Sequence, residues 1–154
     1  AKGFVTKSTP KGNIEKNVAP LELALSSVAT FVAQGFSSDI KALTKMIEDA
    51  IHHDGFSFVN VFSPCVTYNK VNTYDWFKEH LTSIDDIEGY DITDKQLAMK
   101  TVLDHESLVK GIVYQDTTTP SYESQISELE HEALAKRAIH ITEDTFNDLT
   151  AQIF

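Results

Sequence analysis

Residues 55–77, GFSFVNVFSPCVTYNKVNTYDWF, constrain this chain more than any other stretch. Residues 56–62 are mostly apolar, β-branched or aromatic, and short enough for one buried strand. Pro64 stops the strand because proline cannot donate to a sheet ladder. The only cysteine, Cys65, comes next, followed by a polar turn over 67–72 and an aromatic segment with Tyr74, Trp76 and Phe77. A side chain just past the carboxyl end of a buried strand stands where open α/β sheets hold their ligands. A lone cysteine is also commonly a small buried hydrophobe.

The segments before it read as strand, helix, strand. Residues 1–20, with Gly3, Pro10, Gly12 and Pro20, show no period and read as a loop. Pro20 suits a first helical turn, and Leu21, Leu25 and Val28 give a short amphipathic helix. Residues 30–33 predict a short buried strand ending near Gly35. Ser37 or Ser38 caps the next helix, whose apolar positions are Ile40, Leu43, Ile47 and Ala50 or Ile51, with Gly55 to end it. A crossover of this length makes the two strands parallel neighbours. Two strands make no stable sheet alone, so the rest is expected from an amino-terminal half outside this sequence.

Beyond Cys65, Thr73 caps a helix carrying Tyr74, Trp76, Phe77 and Leu81, aromatics more typical of packing than of cofactor stacking. Residues 84–93 form an acidic loop without calcium-loop spacing. Thr93 or Asp94 opens a helix through Val102, residues 111–114 are a short strand, and 117–120 a turn. Two further amphipathic helices are expected. One runs from Ser121 with Tyr122, Ile126, Leu129, Ala133 and Leu134 on one face; the other starts at Thr142 and carries Phe146, Leu149 and Ile153. Their narrow apolar stripes suit docking on another subunit as well as on this one.

Three pieces, GFSFVNVFSPCVTYNKVNTYDWF, PLELALSSVATFVAQGFSSD and AKGFVTKSTPKGN, resemble the β subunits of 2-oxoacid:ferredoxin oxidoreductases, which carry thiamin diphosphate. A weaker likeness continues through TDKQLAMKTVL and GIVYQDTTTPSYESQ, so the resemblance spans residues 1–125. It implies an α/β fold: residues 1–82 as the carboxyl-terminal portion of a thiamin-diphosphate-binding parallel-sheet domain, and 83–154 as a largely helical extension. In many members the cysteine of Ser-Pro-Cys-Val-Thr is one of four ligands to a 4Fe-4S cluster, a position held here by Cys65. The other cluster cysteines, and the Gly-Asp-Gly-Asp signature that binds diphosphate and magnesium, do not occur in these residues. The chain thus looks like the carboxyl-terminal half of such a subunit, inactive alone. The resemblance implies an α subunit, ferredoxin, a 2-oxoacid and coenzyme A as partners. Val-Asn-Thr-Tyr-Asp-Trp looks closest to two-subunit enzymes acting on 2-oxoglutarate or on several 2-oxoacids.

Composition narrows the alternatives. A net charge of −10 argues against a nucleic-acid binder. No apolar run approaches a membrane span, and a single cysteine suits a reducing cytoplasm. The charge is uneven: the first twenty residues hold Lys2, Lys7, Lys11 and Lys16 against Glu15 alone. Such an arm can face an anionic ligand or an acidic partner, or simply be a solvated terminus. His52 and His53 adjoin Asp54, but consecutive helical residues diverge, and both suit a last helical turn. No Ser-His-Asp pattern, glycine-rich phosphate loop or zinc spacing occurs. Two other readings stand beside the oxidoreductase: a non-catalytic assembly module, and a free-standing α/β small-molecule-binding domain, which would need a complete sheet.

Overall fold

Two six-residue strands, Phe31–Phe36 (β1) and Ser57–Phe62 (β2), lie side by side and parallel. The helix Ile40–His52 (α2) connects them. This is the strand–helix–strand unit expected from the sequence, with the helix capped by Asp39, whose carboxylate accepts from Ala42 N, rather than by Ser37 or Ser38. The computed structural model describes residues 2–5, 9–129, 134–136 and 141–152. It divides the chain into two units, Ala1–Pro120 and Ser121–Phe154.

In the first unit the sheet has four strands in the order β2-β1-β4-β3, where β3 is Thr82–Ser83 and β4 is Val109–Gln115. Two of its three pairings are parallel, and β4 runs antiparallel to β1. The strand expected at 111–114 therefore forms, longer at both ends, and covers the second edge of β1. That is why β1 is buried along its whole length while β2 is only half-buried.

Helices cover both faces. On one side Pro20–Ser26 (α1) and Lys95–Asp104 (α4) pack Leu21, Leu25, Ala98 and Val102 against Val32, Val109 and Val113. On the other, Met46 of α2 meets Phe31 and Ala33, with Val59 and Ile112 beside them. Burying a side chain the size of Leu21 contributes about 2 kcal/mol. Tyr90 joins the first layer by donating its hydroxyl to Val113 O at 2.6 Å. Burial, reinforced by the nearby Asp94 carboxylate, pushes its phenol up to about 12. Asp94 itself caps α4, accepting from Gln96 N and Leu97 N. At the end of β4 the Asp116 carboxylate accepts from the hydroxyls of Thr119 and Thr118 and from their amides, which holds it well below the usual carboxylate range.

The second unit departs from expectation at its start. Where the sequence suggests one α-helix from Ser121, the described residues form short 3-10 turns at Glu123–Gln125, Ser127–Leu129 and Leu134–Lys136. Side chains compete for the backbone there: Ser124 Oγ and Gln125 Nε2 both donate to Ser121 O. The last helix forms as expected, Glu143–Ala151 (α5), capped by Thr142. Ala133 and Ile153, assigned above to these apolar faces, lie outside the described residues.

Candidate functional site

Cys65 follows Ser63 and Pro64 at the carboxyl end of β2, and it is exposed. The loop around it is shaped by its own polar groups. Asn69 N donates to Cys65 O at 2.9 Å, and Asn69 Oδ1 accepts from Val71 N and Asn72 N. Lys70 reaches back to Val66 O. Thr73 then caps the helix Tyr74–His80 (α3), accepting from Trp76 N at 3.3 Å. The buried-hydrophobe reading of Cys65 does not hold, because its side chain meets no core.

Aromatic rings fasten α3 to the strand ends beside this loop. Phe77 lies 4.7 Å from Phe62 of β2 and 5.8 Å from Phe36 of β1, which also meets Tyr74 at 5.8 Å. Trp76 packs edge-on to Phe77 and stacks on His80 at 4.1 Å. These aromatics are packing residues here. They hold both ends of the Cys65 loop to the sheet.

A cleft of about 470 Å³ opens between α3, residues 17–20 and residues 106–108. Its walls include Asn17, Asn60, Phe62, Asn72, Trp76 and Glu106. Beneath it, Gln34 is 1% exposed yet fully bonded: Nε2 donates to Ser107 O and Val109 O, both at 2.7 Å, and Oε1 accepts from Asn60 Nδ2 at 2.6 Å. The turn that Gln34 holds is strained, with Glu106 at φ 51° and Ser107 at φ 62°, left-handed values rare outside glycine. Hydrophobic periodicity does not reveal this group, and the sequence expectations above omit it. Its signal is one side-chain amide in each of two mostly apolar strands, FVAQGF and SFVNVF, at positions the parallel register pairs directly.

The histidines at the end of α2 point to different partners. His52 Nδ1 bonds to Glu48 O, and His53 Nε2 lies 2.8 Å from Thr30 Oγ1. Among the described residues no three His, Cys, Asp or Glu side chains converge as a metal site would require. Iron–sulfur clusters normally take four thiolates, and this chain has one cysteine. A single thiolate fits one ligand position of such a cluster and no more. No helix among the described residues is long and apolar enough to cross a membrane.

Comparison with known proteins agrees with the resemblance carried by the sequence. The family that describes the carboxyl-terminal region of pyruvate ferredoxin oxidoreductase β subunits matches residues 65–131. The β subunit of a 2-oxoacid:ferredoxin oxidoreductase from a Sulfolobus species is 36% identical over 135 residues, covering 81% of this chain and 44% of the relative. The equivalent subunit from Saccharolobus solfataricus is 34% identical, over 82% of this chain and 45% of the relative. This chain thus spans less than half the length of these relatives. Its fold is similar to that of the 2-oxoglutarate:ferredoxin oxidoreductase from Magnetococcus marinus, solved with 2-oxoglutarate, coenzyme A and succinyl-CoA bound. The TM-score is 0.77 at 26% identity, over 96% of this chain and 50% of that one. By sequence and by fold, the chain matches the carboxyl-terminal part of the β subunits of the 2-oxoacid:ferredoxin oxidoreductases.

Proposed function

We propose that this chain is part of a cytoplasmic oxidoreductase β subunit. With an α subunit, that subunit oxidatively decarboxylates a 2-oxoacid, 2-oxoglutarate by preference, onto coenzyme A and passes electrons to ferredoxin. The observation that carries the reading is Cys65, exposed and unpaired on a self-bonded loop at the carboxyl end of β2. Thiamin diphosphate with magnesium and a 4Fe-4S cluster, when bound to the intact subunit, supply the decarboxylation and one-electron chemistry.

This chain contributes the Cys65 thiolate as one of the cluster's ligands, while the Asn69 turn and the aromatic clamp of α3 fix where that thiolate stands. Residues 1–82 act as the portion next to the cofactors and 83–154 as the subunit's extension. The antiparallel attachment of β4 to an otherwise parallel pair supports that division, although residues up to 120 share the same unit.

The test is Cys65→Ser in the β subunit that contains this chain, expressed together with its α subunit. Serine oxygen is a harder ligand than thiolate and suits clustered iron less well. Iron per protomer and ferredoxin reduction should both fall while thiamin diphosphate stays bound. Full iron together with a lowered melting temperature would sink the ligand assignment. An assembly role is the second reading, favoured by exposed Val18, Leu23, Val28, Ile40 and Ile51; normal subunit assembly without any 2-oxoacid-dependent reduction of ferredoxin would select it.

A further inference from the structure

We propose that two copies of this chain meet through α2, packed antiparallel about a twofold axis level with Lys45 and Met46. The sheet covers only part of the apolar arc of this helix. Met46 is buried, with Leu43 and Ala50 half-buried beside it. Leu43 and Met46 reach over Gly35 so closely that a Cβ there would come within 2.7 Å of Leu43 Cδ1. Further round the helix, Ile40, Ile47 and Ile51 are 72%, 42% and 74% exposed. With Thr44 among them they recur at steps of four, three and four residues, the spacing at which two helices interlock their side chains. Large aliphatic side chains aligned in water on one helix face mark an interface.

Charge selects a second copy as the occupant. Lys41 and Glu48 flank the stripe on the side away from the sheet, and both are exposed. Their side chains make no ion pair or hydrogen bond among the described residues, whereas Lys45 pairs with Asp49. Two helical turns separate them, too far to pair within one helix. When two α2 helices lie antiparallel, Ile40 faces Ile51 and Thr44 faces Ile47 of the second copy. Lys41 of each copy then stands beside Glu48 of the other, so the contact holds two ion pairs related by symmetry. A parallel pair would set Leu43 and Ala50 opposite these charges and gain neither.

The other helices suit such a contact less well. The chain carries a net charge of −10, so two copies repel at most orientations. Within α2, Lys41 and Lys45 balance Glu48 and Asp49. By the same residue count α1, α3 and α5 are net negative and α4 is net positive. Only α2 among the five joins an exposed aliphatic stripe to a neutral surface whose flanking charges complement themselves, which a twofold contact requires.

Sedimentation velocity over a range of concentrations, on the β subunit that contains this chain together with its α subunit, counts the β subunits in each particle. Wild type should hold two. Lys41→Glu alone and Glu48→Lys alone each set like charges across both symmetric positions, and each should weaken the association of the two β subunits about tenfold. The double variant Lys41→Glu, Glu48→Lys recovers opposite charges only where the facing chain carries the same exchange, so it should return to within about twofold of wild type. Ile51→Lys, at an exposed position outside the core, should separate the two β subunits. A wild-type particle with one β subunit at every concentration overturns the inference, as do single variants that associate like wild type. A double variant as weak as the single ones overturns it too. Loss of the α subunit from Ile51→Lys, with the two β subunits still joined, overturns it and assigns the stripe to the α subunit.

Discussion

Asn60 donates its side-chain amide to Oε1 of Gln34 at 2.6 Å, and Gln34 passes the connection on to the carbonyls of Ser107 and Val109. One buried amide thus joins β2, β1 and the turn before β4. Gln34→Leu would keep the size of the side chain and leave two carbonyls and the Asn60 amide without their partner. The expected cost is about 2–4 kcal/mol of unfolding free energy, read as a shift in the denaturant midpoint with an unchanged slope. A variant as stable as wild type would show that water replaces the amide without penalty.

Gly55 stands where no other residue fits. Its φ is +155°, and a Cβ would lie 2.3 Å from Thr30 Oγ1, the hydroxyl that also meets His53 Nε2 and accepts from Phe56 N. Gly55→Ala should therefore cost on the order of 2–3 kcal/mol. Thr30→Ser as a companion change should not rescue it, because the hydroxyl remains in place. Thermal melts of both proteins check this.

Alkaline pH should expose the environment of Tyr90. Its phenol titrates higher in the folded chain than in the unfolded one, so the neutral form is the one folding favours. That contribution is fully present below the ordinary tyrosine value of about 10 and is lost as pH climbs toward about 12. Ultraviolet titration of wild type against Tyr90→Phe should remove one late-ionising phenol. If the difference spectrum titrates near 10 instead, the Tyr90 phenol is not buried in solution as it is in the structure.

β2 forms one side of the sheet with no strand beyond it among the described residues. Unpaired strand edges pair with other chains, so residues 1–154 expressed alone should self-associate. Val61 is 37% exposed on that strand, and Val61→Lys should return the chain toward monomer in sedimentation velocity. A wild-type monomer at high concentration would count against an available edge.

Local physics makes most of the helices legible in the sequence. Thr73, Asp94 and Thr142 each cap the helix that follows them, because a short polar side chain beside its own backbone needs no distant partner. The same reasoning fails after Ser121, where serine and glutamine side chains take backbone groups that an α-helix would use. The place of Cys65 beyond β2 is legible too, since Pro64 ends the strand. The cleft is not. Its walls come from residues 17–20, Gln34, several residues between 60 and 77, and 106–108, and only the antiparallel return of β4 brings the last group to the others. Pairing across such a separation leaves no periodic trace in either segment.

That return also fixes a schedule. β1 ends at Phe36, and the strand that covers its second edge is not finished until Gln115. A ribosome adding about 5–20 residues per second needs on the order of ten seconds to travel between them. Throughout that interval the emerging polypeptide carries the apolar run from Phe31 to Phe36 with one flank bare. Release of a nascent chain before Gln115 would leave a species that holds every residue of the Cys65 loop yet has no means of closing its own sheet, a natural client for a chaperone.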